Sequence, residues 1–231
     1  MSVLYSDVAL PADLAAGGHK VTGLADPGAA QDAATKSYVD SHAGSGGGAS
    51  GAKVLLWTGT AAAAGTLDAI TRNAGSFSGA LFQADYDVYE IELIGLTVST
   101  NDQGVNCLVS TNGGASWDAS AVYCRGYQYG ASNNSTGGGG FVNQTSWAIT
   151  GNQSVVAGAS ASGTLKLFAP LSTTVFKQVT ATLAWGHTGV DWISIHETFI
   201  WKNVAAINAL RFAAASGTFS GVIRVYGIAK S

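Results

Sequence analysis

The sequence predicts a mainly β protein: an antiparallel, jelly-roll-like β-sandwich head, preceded by a short N-terminal arm with one helix. Three observations predict it. Short apolar segments recur along residues 53–231 at near-regular spacing, with no helical pattern between them. Turn-forming clusters separate those segments. Gly is abundant, at 31 residues, while charged residues make up only 11% against roughly 25% in ordinary soluble domains. Such a composition suits tight turns, and it suggests that other subunits cover part of the surface. The 231 residues suffice for one sandwich or barrel plus an appendage.

The arm is residues 1–43. Pro11 and Gly17-Gly18 break any early helix, and His19 to Leu24 is short enough for one small strand or an extended stretch. Ala25-Asp26-Pro27-Gly28 is turn chemistry, because Pro presets φ and Gly tolerates unusual φ. Gln31 to Ala43 reads as a helix, with Asp32 near its start, where a carboxylate complements the helix dipole. Tyr38, Ala34 and Val39 form its apolar stripe. About three turns of helix are marginal alone in water. The arm is therefore expected to order only against copies of itself or another protein. Residues 44–52 are a flexible Gly/Ser-rich linker that uncouples the arm from the head.

The head, 53–231, opens with a strand at Lys53 to Trp57. Residues 86–99 give the clearest pattern: Tyr89, Ile91 and Leu93 share one parity, and Glu90 and Glu92 the other, which marks a half-buried strand. Further strands are expected at 105–110, 120–128, 141–149, 163–169, 175–185, 190–201, 206–213 and 219–228. In the last, Ile223 and Val225 oppose Arg224 and Tyr226. Residues 101–104, 111–114 and 186–189 read as turns. No repeat of 20–50 residues is present, which disfavours a β-helix or a propeller.

Charge narrows the partners. Net charge is −3, and residues 1–52 account for all of it. No basic footprint for phosphate neutralisation exists, so nucleic acid is not an expected partner. No apolar run approaches a membrane span, and no secretory leader precedes the arm, so membrane insertion is not expected. Cys107 and Cys124 make one disulfide arithmetically possible, but each reads as a free, apolar strand residue.

Residues 10–42, LPADLAAGGHKVTGLADPGAAQDAATKSYVDSH, resemble an N-terminal motif of bacteriophage tail-fibre and related fibre proteins. The parts occur in the family's order: Gly17-Gly18, then Val21-Thr22-Gly23-Leu24, then Ala25-Asp26-Pro27, then Gln31 to Asp40. Gly23 departs from the Asn usual in the family, and Ala29 or Ala30 from a second Pro. Ser110 to Trp117 resembles a hairpin of phage fibre C-terminal domains, and Asn208 to Phe212 with Gly221 to Ile228 resembles their closing strands. The resemblance implies a homotrimeric virion protein assembled in a host cytoplasm. It implies docking to other virion structural proteins through Val21, Leu24, Asp26, Pro27, Asp32, Thr35, Lys36, Tyr38, Val39 and Asp40.

Residue chemistry points away from catalysis, and no cofactor is expected. His19, His42, His187 and His196 lack metal-ligand spacing, so no metal site is expected. His196 shares a strand parity with Ser194 and Thr198 and reads as solvated or subunit-facing; His187 sits in a turn. Asp85, Asp87, Glu90 and Glu92 form the densest acidic cluster, which reads as a solvated sheet face rather than a glycosidase pair. Trp57 to Thr66 lacks the Lys of a phosphate-binding loop, and residues 158–163 lack the spacing of a nucleophile elbow. The candidate recognition surface is residues 125–147, with Tyr127, Tyr129, Asn133, Asn134, Phe141, Asn143 and Trp147 around four consecutive glycines. Aromatic faces stack on sugars and amides bond hydroxyls, although the same loop suits packing on a neighbouring subunit. The expected function is a structural fibre or spike subunit contributing to attachment to host-surface polysaccharide. The alternative is a head-fibre, collar or capsid decoration without a receptor role.

Overall fold

A computed structural model describes residues 52–74, 79–188 and 190–230, with backbone alone at 190 and 191. The chain divides into two units, Met1–Gly47 and Gly48–Ser231. The arm, with its expected helix and all ten docking residues, lies outside the described residues.

Twelve strands build the body. They are β1 (Lys53–Ala64), β2 (Thr66–Ala69), β3 (Tyr86–Val98), β4 (Val105–Ser110), β5 (Tyr123–Ala131) and β6 (Thr136–Gln144), followed by β7 (Trp147–Ala148), β8 (Ala161–Phe168), β9 (Lys177–His187), β10 (Val190–Trp201), β11 (Ala209–Ala214) and β12 (Phe219–Ala229). They form two antiparallel sheets: β1-β12-β3-β8-β9-β10-β5-β6 and β2-β11-β4-β7. The expected antiparallel β-sandwich is therefore present. Its strand pairs are nested: β1 with β12, β2 with β11, β3 with β8, β4 with β7. Two hairpins interrupt the nest, β5–β6 and β9–β10, and both widen the same sheet beyond β8.

Period-two patterning explains how each strand chooses its face. On β9, Lys177, Val179, Ala181, Leu183 and Trp185 are buried, while Gln178, Thr180, Thr182 and Ala184 are exposed. On β12, Ile223 and Val225 enter the core opposite Arg224 and Tyr226. The core joins both sheets through Leu56, Tyr89, Leu93, Phe199, Trp201 and Phe212. Burying one such side chain contributes roughly 1.5–3 kcal/mol. The exposed pairs from Lys53 to Glu90 (2.8 Å) and Glu92 (2.5 Å) contribute ~1 kcal/mol or less each, so they order the outer face rather than hold the sandwich.

Several expected boundaries move. β1 runs on to Ala64, and the four-residue β2 follows it where no strand was expected. The expected strand 120–128 begins at Tyr123 and ends at Ala131. The expected strand 141–149 is instead β6 and β7, so Gly137 to Gly140 lie within a strand and not at a hairpin tip. His187 closes β9 instead of occupying the turn. Cys107 is buried, Cys124 is half-buried, and both are free.

The sheet register fixes which ends of the strands coincide. Lys53, Ile228, Val88, Phe168, Gln178, Ile200 and Cys124 form one row across the large sheet. The two ends of the body's chain are joined there, where the Ala229 amide donates to the Ala52 carbonyl at 2.9 Å. At the same end, Phe168, Leu171, Val175, Phe176 and Val204 are exposed apolar side chains. The β5–β6 and β9–β10 turns lie at the opposite end.

Lys177 braces the chain-end loops. Its side chain is fully buried, and its ammonium donates to the carbonyls of Ser172 (2.7 Å), Val175 (3.0 Å) and Val204 (3.2 Å). Burial lowers its pKa, because the charged form is desolvated. Lys177→Met keeps the stem but leaves three carbonyls without that donor. It should cost about 2–3 kcal/mol in urea unfolding, while exposed Lys166→Met should stay within about 0.5 kcal/mol.

Candidate functional site

Residues on the inner face of the large sheet change character from β9 toward β6. One row across the strands reads Leu183, Ile195, Tyr129, Gly137; the next reads Ala181, Glu197, Tyr127, Gly139; a third reads Val179, Phe199, Arg125, Phe141. The β9 and β10 members are buried, Tyr127 and Tyr129 are half-buried, and all of β6 is exposed. The four-stranded sheet ends at the two-residue β7, so the face of β5 and β6 continues past it. The result is a groove of about 320 Å³ lined by residues that include Tyr127, Tyr129, Phe141, Trp185, His187 and Ile195.

Glycine makes the groove's aromatic shelf. A Cβ at Gly137 would stand 2.8 Å from the Tyr129 ring, and one at Gly139 would stand 3.1 Å from the Tyr127 hydroxyl. The tyrosine rings thus lie over bare backbone of the edge strand, an arrangement that also shields it. Tyr129, Tyr127 and Phe141 form a row of near-parallel rings, with centroids 6.3 and 6.0 Å apart. The Arg125 guanidinium sits 4.9 Å from the Tyr127 ring centroid.

Behind the shelf lies a buried ion pair. Arg125 Nε donates to Glu197 Oε1 at 3.0 Å, and Nη2 donates to the same oxygen. The Glu197 side chain is fully buried, and its Oε2 has no partner among the described residues. Burial pushes the Glu197 carboxyl up to about 7, against the opposing pull of Arg125. Two more buried polar atoms, on residues lining the groove, lack partners among the described residues: Trp185 Nε1 and His187 Nδ1.

Of the expected recognition residues, the structure brings Tyr127, Tyr129 and Phe141 together. Asn133 and Asn134 shape the β5–β6 turn: Asn133 Oδ1 accepts from the Ser135 amide (3.1 Å) and hydroxyl (2.6 Å), and Asn134 has φ +63°. Asn143 lies at the other end of β6, where it forms a bulge at φ +58° and accepts from Lys202 Nζ at 3.0 Å. Trp147 belongs to the core, not the surface. It is 3% exposed and meets Tyr123 edge-on at 5.6 Å. The sequence places Arg125 at the start of the expected surface and His187 in a turn, but does not single out Trp185 or Ile193. Strand parity separates buried Trp185 from exposed Ala184, but only the β9–β10–β5 register carries it to the tyrosines.

Of the acidic cluster, Asp87, Glu90 and Glu92 lie on β3, with Glu90 and Glu92 half-buried in ion pairs, and Asp85 precedes the strand. Glu90 and Glu92 meet Lys53, with Lys166 4.0 Å from Glu90 and Arg224 3.9 Å from Glu92. His196 is exposed, with Nδ1 3.2 Å from the Thr182 hydroxyl. Among the described residues, no group of three or more His, Cys, Asp and Glu could hold a metal ion. No helix among them is long and apolar enough to cross a membrane. No family model, curated protein or solved structure matches the chain.

Two outcomes follow from this geometry. A carboxyl whose folded pKa is raised favours the folded state fully below its unfolded value, and that stability is lost as pH rises through the folded value. The Glu197 contribution should therefore be complete below 4.5 and decline through about 7, a loss of about 2–4 kcal/mol. Unfolding free energies measured from pH 4 to 8 should fall less steeply for Glu197→Gln than for the parent chain. Separately, Gly137→Val should displace the Tyr129 ring, changing its NMR ring shifts, while costing under about 1 kcal/mol because β6 is an exposed edge.

Proposed function

We propose that the chain is a non-enzymatic, homotrimeric fibre or spike subunit of a phage-like virion, and that its head contributes to attachment to host-surface polysaccharide. In this reading residues 1–43 dock to other virion structural proteins, residues 44–52 give angular freedom, and residues 53–231 form the head. The observation that carries it is the ordered motif from Gly17-Gly18 to Asp40 placed ahead of a β-sandwich. The nested strand pairs support a jelly roll, whose two Greek keys are built from eight strands, with the two extra hairpins as additions. Exposed Val175, Phe176 and Val204 offer apolar surface for contact between subunits. The aromatic groove, toward the end of the head away from Ala52 and Ala229, suits a surface ligand, since rings stack on the apolar faces of sugars. Three copies of a weak site would bind a repetitive polysaccharide firmly through avidity.

The test is deletion of residues 1–51. The shortened chain should remain folded, soluble and trimeric by light scattering, yet be absent from purified particles. Normal incorporation of the shortened chain would show that the anchor lies elsewhere. Binding of the isolated head to host cells then separates attachment from mere decoration.

A further inference from the structure

We infer that the groove over β5–β6 and the β9–β10 hairpin is a binding site for one or two residues of an acidic saccharide, held against Tyr127, Tyr129 and Phe141 with its carboxylate toward Arg125 and a hydroxyl or ring oxygen toward Trp185. The inference names the ligand of the attachment site proposed above and rests on that reading for its biological setting.

Three independent features point to a ligand. First, the indole N–H of Trp185, a residue lining the groove, is a donor with no acceptor among the described residues, although the residue is only 2% exposed. An unmet buried donor costs about 1–3 kcal/mol, which an oxygen acceptor on a ligand in the adjoining groove would offset. Second, the three near-parallel rings expose hydrophobic surface where most of the inner face is covered; Phe141 is 47% exposed. Rigid aromatic surface of this kind takes the C–H face of a pyranose at little entropic cost. Third, no described residue lining the groove is acidic, whereas Arg125 is basic. The one acid nearby, Glu197, is fully buried behind Arg125 and fixes it through a single carboxylate oxygen. A donor-rich pocket without anionic side chains favours a carboxylate-bearing sugar over a neutral one. Its volume of about 320 Å³ sits at the small end of the ~300–1,000 Å³ range of small-molecule sites, which limits the ligand to one or two rings.

The glycines fit the same reading. Side chains at 137 or 139 would strike the tyrosine rings and tilt the shelf, so the bare strand keeps it level.

The experiment uses the full chain. Saturation-transfer NMR and tryptophan fluorescence would be recorded with methyl galactopyranosiduronate, methyl glucopyranosiduronate and N-acetylneuraminic acid, alongside methyl galactopyranoside and methyl glucopyranoside. At least one acid should saturate in the millimolar range expected of a single weak site, about tenfold tighter than its neutral counterpart. Phe141→Ala removes an exposed ring, leaves the circular dichroism unchanged and should weaken binding about fivefold or more; Trp185→Phe keeps the buried ring and should also weaken it. Absence of saturation by all three acids, equal affinity for acid and neutral sugars, or unchanged binding by Phe141→Ala would each overturn the inference. Particle incorporation of Phe141→Ala is read in parallel. Normal incorporation without sugar binding by the parent chain would sink the saccharide site alone, whereas sugar binding by a chain that never joins particles would sink the virion reading alone.

Discussion

A sheet of eight strands facing a sheet of four cannot be covered on its whole inner side. That mismatch is the constraint on which the other features depend. Over β1, β12, β3 and β8 the two sheets share one apolar core, and side chains on the inner parity need only be hydrophobic. Beyond β8 the inner parity stays buried on β9 and β10 and loses its cover at β5 and β6. The residue types follow this gradient. Valine, alanine and leucine on β9 give way to isoleucine and phenylalanine on β10, then to tyrosine and arginine on β5. Tyrosine and arginine can bury an apolar body while keeping a polar end near water, so they suit a half-covered face.

Lys177 and Glu197, the buried charged side chains among the described residues, show different solutions to one cost. An isolated charge in the interior is prohibitive unless it is paired or fully bonded. Lys177 keeps three carbonyl acceptors, so its burial holds the chain-end loops together. Glu197 has one basic partner and an unpartnered second oxygen, and the carboxyl responds by taking up protons more readily. The first arrangement is a brace. The second is less complete, and it sits directly under the row of rings, where it fixes Arg125 against Tyr127.

Most of this fold is legible in the sequence, because period-two patterning is strong wherever one face is covered and the other is wet. Residues 86–98 and 177–187 alternate almost without exception, and both are strands as expected. The reading weakens where coverage weakens. β6 carries no alternation, since every one of its residues is exposed, so its glycines looked like a loop. Trp147 looked like its aromatic neighbours because a lone apolar residue between turns has no parity to read; the structure sinks it against Tyr123 and Phe199. Trp185 and His187 lie nearly sixty residues from the tyrosines in sequence. Only the pairing of β9 with β10 and of β10 with β5 brings them together, and pairing between distant strands is not written in local pattern.

An edge strand of four glycines poses its own difficulty. Glycine is entropically costly in a strand, and a chain without side chains has little to fix its register. The exposed edge also lacks the lysine or proline that commonly blunts such strands. Three features compensate. The tyrosine rings lie across the glycine backbone and cover it. The bulge at Asn143, tied to Lys202, locks one end of the strand, and the Asn133–Ser135 turn locks the other. Phe141 then pairs with Arg125 at the one β6 position where an aromatic side chain stands beside Tyr127. Register is thus set from both ends and by the rings, not by the strand itself. The bare strand is retained because any side chain at 137 or 139 would meet the shelf that those rings make.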